Sequence, residues 1–201
     1  MGISIHYNGS LKSRNEIDKL RDELADISRD MGWDATFVEP TDEDKKTHPP
    51  IYGIIINLRN GCELFSFIFD NDGKLRNSIA LSHFDYSDKY QIGACIKTQY
   101  SSPEQHIIII KLLRYIKKVH IKDLQVVDEG GYWESSDKER LTYLFNFLNE
   151  KLAELCDILE GSKKDIEGID NPEKLAVKLE NLLRKHLGPD DSIDKINITD
   201  T

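Results

Sequence analysis

The residues with the most chemical capacity lie at Asp128-Glu129-Gly130-Gly131-Tyr132-Trp133-Glu134. Three carboxylates could hold a cationic group. The two glycines permit close backbone approach, and the aromatics offer flat stacking surfaces. The competing reading is a turn whose Tyr132 and Trp133 plug the core while the acids are solvated. A second group is set by alternation: His6 shares a strand face with Ser4 and Asn8, and His83 and Asp85 alternate with Phe84 and Tyr86. His6, His83, Asp85 and Asp128 or Glu129 are ligand types suited to zinc or manganese. No HExxH, HxH or HxxxH spacing supports a metal, so the expectation is a ligand pocket without one.

Lys97 precedes Ser102, and a helix starting there could bind an anion. Lys111, Arg114 and Lys118 form a basic helical stripe without interleaved aromatics. Asp70-Asn71-Asp72-Gly73 begins like a calcium loop, but its glycine comes two residues early, so a hairpin turn is expected. There is no GxSxG nucleophile motif and no cofactor motif. Cys62, Cys95 and Cys156 are isolated and odd in number, which gives no disulfide framework and points to a reducing, cytoplasmic setting.

These groups are positioned by elements with clear punctuation. Residues 3–8 alternate as a half-buried strand. Ser13 and Glu16 have capping-box spacing before Ile17, Leu20, Leu24, Ile27 and Met31, and Gly32 stops the helix, giving 14–31. Residues 34–39 read as a short strand. Four extended runs, 51–59, 64–69, 78–86 and 90–99, predict an antiparallel meander, with Asn60-Gly61 as a two-residue hairpin turn. Ser102-Pro103-Glu104-Gln105 opens an apolar helix with Gln105 closing the box. Residues 124–127 form a strand. Ser136 and Glu139 open a long helix whose leucines, 141, 144, 148, 152, 155 and 159, recur at helical spacing. Asn171-Pro172 starts an amphipathic helix through Leu175, Leu179, Leu182 and Leu183.

The expected fold is therefore α+β, mainly antiparallel (β-α-β, four-strand meander, α-β-α), with helices on one face and a C-terminal helix. Residues 1–161 form the compact domain; 162–201 hold a linker, the short helix and a frayed tail. The order resembles the β-α-β(4)-α arrangement of TATA-binding-protein-like folds, which carries no function. The opening MGISIHY and the segment DEGGYWE resemble a group of uncharacterised bacterial proteins; the resemblance covers most of residues 1–160 and implies no activity.

Composition narrows the partners. The chain has 201 residues with 36 acids against 27 bases, a formal charge of −9 that opposes nonspecific binding to nucleic acid. No apolar run reaches the ~20 residues of a membrane span. The wide apolar faces of the last two helices favour a noncatalytic binding or protein-interaction domain that self-associates. The alternative is a small enzyme or ligand binder around His6, His83 and the Asp128–Glu134 turn. A protein partner, a second copy or a small ligand are the partners left open.

Overall fold

The computed structural model describes residues 2–40, 50–59, 61–77, 93–168 and 170–187. The chain divides into two compact units, Met1–Phe145 and Asn146–Thr201. Strands β1 (Ser4–Asn8), β2 (Asp34–Val38), β3 (Tyr52–Asn57), β4 (Phe65–Phe69), β5 (Leu75–Arg76), β6 (Ala94–Lys97) and β7 (Gln125–Asp128) lie in the first unit. So do helices α1 (Arg14–Met31), α2 (Pro103–Val119) and α3 (Tyr132–Ser135). Helix α4 spans Lys138–Gly161, and α5 (Lys163–Ile166) and α6 (Pro172–Leu187) follow in the second unit. The class is α+β with antiparallel sheets and a C-terminal helix, as the patterning predicts.

The strands are shared between two sheets. One has the order β6-β1-β7, the other β2-β3-β4-β5, and every pairing is antiparallel. A four-strand meander is present, but of the expected strands it contains only 51–59 and 64–69, joined by β2 and β5. The 90–99 run contributes β6 to the other sheet, where Ile96 faces Ile5 and Ala94 faces Tyr7 across the ladder. All four are buried, so this pairing satisfies β6's apolar face as well as its backbone. The 78–86 run lies outside the described residues. Between β3 and β4 the connection runs from Leu58 to Leu64, longer than a two-residue turn, because the chain there detours to meet β6. Glu63 N donates to Lys97 O at 3.1 Å, and Lys97 N donates to the Glu63 carboxylate at 3.0 Å. Asn60 lies outside the described residues.

The caps follow the sequence closely. Ser13 Oγ accepts from Glu16 N, the Glu16 carboxylate accepts from Lys12 N at 2.6 Å, and Gly32 ends α1 in the left-handed conformation. Ser102 Oγ accepts from Gln105 N, with Pro103 in the first turn of α2. The Gln105 amide does not bond back; its Nε2 is buried without a partner. The long helix starts later than expected. Ser136 has φ 55°, and Asp137 Oδ1 accepts from Arg140 N, so Asp137 rather than Ser136 caps α4. Asp70 makes the expected hairpin turn. Its carboxylate accepts from the N–H groups of Asp72 and Lys74 and pairs with Arg76, which leaves it saturated.

The core of the first unit lies between the sheets and under α1 and α2. Tyr7 from β1 meets Phe65 and Phe67 from β4 with ring centroids 5.5 and 5.3 Å apart, and Ile5 is buried beside it on the same face of β1. The Tyr7 hydroxyl is buried, yet fully bonded: it donates to Ser66 O at 2.8 Å and accepts from Ser66 N at 3.2 Å. Since β5 pairs only with Ile68 and Phe69, that edge of β4 has no strand partner at Ser66 among the described residues. One side-chain oxygen replaces the missing ladder bonds and ties the sheets together. Tyr7→Phe leaves both Ser66 backbone groups unsatisfied. It should lower unfolding free energy by ~1–3 kcal/mol, read as a drop in denaturant midpoint with unchanged slope. An unchanged midpoint would show that the hydroxyl is dispensable.

Candidate functional site

The strand β7 divides the predicted site residues between two environments. Successive side chains of a strand point to opposite faces. Asp128 turns inward and Glu129, directly after the strand, turns outward.

The inward side is a closed polar network. The Asp128 side chain is fully buried. Its Oδ1 accepts from Gly130 N and its Oδ2 from Trp133 N, both at 2.8 Å. His106, in the first turn of α2 and fully buried, brings Nε2 to 3.0 Å from Oδ1, without the alignment of a strong hydrogen bond. On its other side, His106 Nδ1 lies 2.8 Å from Thr98 Oγ1, which donates to Ile3 O at 3.2 Å. Burial is the largest influence on the Asp128 carboxyl and pushes its pKa up. The His106 ring and the N–H groups of Trp133 and Gly130 together outweigh burial and hold it below the ordinary carboxylate value.

The order hydroxyl, imidazole, carboxylate is that of a nucleophilic triad. However, Thr98 and His106 are each 0% exposed. A hydroxyl sealed from solvent cannot meet a substrate, so this arrangement holds structure together. Sequence reasoning missed His106 and Thr98. The available signal was a lone histidine within an apolar helical arc, since a buried polar ring requires partners.

The two glycines serve the network. A Cβ on Gly130 would lie 2.7 Å from Leu141 Cδ1 and 3.1 Å from both Asp128 Oδ1 and His106 Cε1. Gly131 has φ 69°, which side-chain-bearing residues rarely adopt. Their backbone freedom is used by the protein itself. Tyr132 is buried and Trp133 half-buried. Arg114 lies 5.7 and 5.6 Å from their ring centroids and donates to the carbonyls of both and to Ser136 Oγ. Glu134 is exposed. The expected basic stripe is therefore interrupted: Arg114 staples the turn, between Lys111 and Lys118. At the start of α2, Ser102 receives the N–H groups of Gln105 and His106.

The outward side is open. Ser4, His6 and Asn8 of β1 share a face with Cys95 of β6 and with Gln125 and Val127 of β7; His6 sits opposite both Cys95 and Val127. Val127 is 64% exposed. A hollow of about 190 Å³ is lined here by His6, Asn8, Asn77, Cys95, Gln125 and Val127. The Glu129 carboxylate accepts from Ser4 N at 2.8 Å and reaches 3.6 Å from His6 Nε2. Thus the structure brings His6 and Glu129 together and separates them from Asp128 and Tyr132. His83 and Asp85 lie outside the described residues. Burial, then Glu63 and Glu129, push the Cys95 thiol above its ordinary value, which favours the unreactive protonated form beside His6.

Among the described residues, no group of three or more His, Cys, Asp or Glu could hold a metal ion. No helix of these residues is long and apolar enough to cross a membrane.

In the second unit the chemistry is apolar. Leu148, Leu152, Leu155 and Leu159 of α4 and Leu175 and Leu179 of α6 are all half-buried. Only Ser162 and Leu182 are buried among its described residues. Cys156, beside the α4 stripe, is exposed and not a core residue as its apolar neighbours imply.

The network makes a signed prediction. Asp128→Ala should cost ~3 kcal/mol or more, because it strands two N–H groups and a buried imidazole. The depressed Asp128 pKa means that its ionic contribution is complete above ~4, the ordinary carboxylate value, and is lost as pH falls through the lower folded value. Asp128→Asn should therefore be most destabilised at neutral pH, and the gap to wild type should narrow on acidification. Urea unfolding of both proteins across that range checks this; a constant gap would contradict it. Comparison of the chain with protein-family models, with curated proteins and with solved structures finds no match.

Proposed function

We propose that the chain is a noncatalytic cytoplasmic protein-interaction domain that self-associates through residues 146–187. One observation carries this reading: Leu148, Leu152, Leu155 and Leu159 of α4 and Leu175 and Leu179 of α6 are only half-buried, and among the described residues of 146–187 Leu182 is the one buried apolar side chain. Full burial of a leucine contributes ~2 kcal/mol and the part of each still exposed a fraction of that, so several together favour a covering partner. Short helices in water draw most of their stability from such packing. A second pair of helices supplies the missing cover, as in a four-helix bundle. The three unpaired cysteines fit a reducing compartment.

Sedimentation velocity from micromolar to millimolar protein should show a concentration-dependent dimer. Leu152→Glu with Leu155→Glu should shift the dissociation constant ~100-fold, since each copy would then bring two carboxylates to the apolar contact. The tyrosine and tryptophan signals of residues 1–145 should not change. A wild-type monomer throughout would overturn self-association.

A second reading has its own support. His6 and Glu129 share the open sheet face, over the hollow lined by Gln125 and Val127. Small-molecule binding there predicts that fragments shift the amide resonances of His6, Asn8, Gln125 and Val127, and that His6→Ala with Gln125→Ala removes the shifts. A fragment set that leaves those four resonances in place would remove this reading.

A further inference from the structure

We infer that the Thr98–His106–Asp128 row is a proton-responsive joint: the Thr98 hydroxyl reverses its hydrogen bond, and His106 thereby takes up a second proton inside the core without stranding a polar atom of the row.

A hydroxyl carries one proton, and can give it to one acceptor while receiving another. Thr98 Oγ1 lies 2.8 Å from His106 Nδ1 and 3.2 Å from Ile3 O. It can donate to one of these at a time. Ile3 O also accepts from Thr98 N at 2.9 Å, so it stays bonded when the hydroxyl turns away. At the other end of the ring, Nε2 stands 3.0 Å from Asp128 Oδ1. A bare lone pair there would face a carboxylate oxygen, so Nε2 carries a proton whatever the charge of the ring.

Two arrangements then fit the same heavy atoms. With the ring neutral, the Thr98 hydroxyl donates to Nδ1, and Nε2–H faces Asp128. With the ring charged, Nδ1–H donates to Thr98 Oγ1, the hydroxyl donates to Ile3 O, and the imidazolium stands against the carboxylate. Only hydrogens change place between them. A valine at 98 would leave Nδ1 without a partner in both.

The other groups packed on the ring do not compete for the proton. Phe145 of α4 meets it edge to face, with centroids 5.9 Å apart. Gly130 of the turn lies against Cε1. Ile3 of β1 contributes a carbonyl, and within α2 the His106 N–H donates to Ser102 O at 3.1 Å. Among the described residues, Asp128 is the charged group that pairs with the ring. Its carboxyl is held below the ordinary range, which keeps it negative while the ring charges.

A histidine forced to stay neutral in a core opposes folding as pH falls, because the unfolded chain takes the proton near ~6.5. Here the folded chain takes it as well. The joint between the start of α2, the end of β6, β1 and the 128–131 turn gains an ion pair in mild acid and holds until Asp128 itself is protonated.

The test uses the full chain with ¹⁵N-labelled histidine. Long-range ¹H–¹⁵N spectra report the protonation of each ring nitrogen, and the amide spectrum reports the fold. At about pH 8 the His106 ring should be neutral with its proton on Nε2, and at about pH 5 both nitrogens should be protonated under a native amide spectrum. A neutral ring protonated at Nδ1 overturns the joint. So does a ring that keeps one charge state wherever the fold persists, or that charges only as the amide spectrum collapses. Urea unfolding of two variants isolates the hydroxyl. Between the same pH values Thr98→Val should lose roughly tenfold in folding equilibrium constant relative to wild type, since its charged Nδ1–H finds no acceptor. Thr98→Ser should track the wild type. A Thr98→Val gap that does not change with pH, or a Thr98→Ser variant that follows Thr98→Val, overturns the hydroxyl's part. The wild-type spectra decide the case by themselves if Thr98→Val fails to fold.

Discussion

A carboxylate taken out of water must be met by donors, and the first unit is arranged around meeting that demand at Asp128. Its two oxygens accept from Gly130 N and Trp133 N, and the His106 ring lies 3.0 Å away. Each partner comes from a different requirement on the chain. Gly130 must lack a side chain to sit against His106 and Leu141, and Gly131 must take a positive φ for the chain to return. His106 must lie in the first turn of α2, and is braced by Thr98 at the end of β6 and by Phe145 of α4, whose ring centroid is 5.9 Å away. One charge thereby fixes a turn, a strand end and two helices. Tyr7 plays the corresponding part between the sheets, where one hydroxyl bonds both backbone groups of Ser66.

The same strand shows why residue type alone misassigns a site. Asp128 and Glu129 are adjacent acids with opposite fates, because alternate residues of a strand face opposite ways. The first is saturated by the fold. The second stays at the surface with His6, where an ion pair is worth little in water. The aromatics follow the inward side: Tyr132 is buried and Trp133 is held under Arg114. What remains at the surface is a three-strand face of mixed polarity. The Asp128–Glu134 segment therefore divides between a structural junction and a rim, with no single constellation.

Much of the fold was legible beforehand, for local reasons. The limits of α1 were readable because Ser13 and Gly32 act on neighbouring backbone groups. The hairpin at Asp70 was readable because its carboxylate satisfies N–H groups two and four residues on. Pairing between distant segments was not readable in this way. Residues 90–99 have the composition of a meander strand, yet β6 joins β1, since both strands bury alternate apolar residues in the same core. Ser136 has the type of a helix cap, but the strained turn before it hands that role to Asp137.

The sequence by itself determined where elements start and stop and which helices carry an apolar stripe. Those properties depend on neighbours within a few residues. Only the tertiary structure decided that His106, twenty-two positions before Asp128, would be its partner, that the Thr98–His106–Asp128 row would be sealed, and that the stripe on α4 would be left half-covered. Burial and partnership are properties of the folded whole: a carboxylate's chemistry depends on the water and donors around it, and the sequence names the group without stating its surroundings.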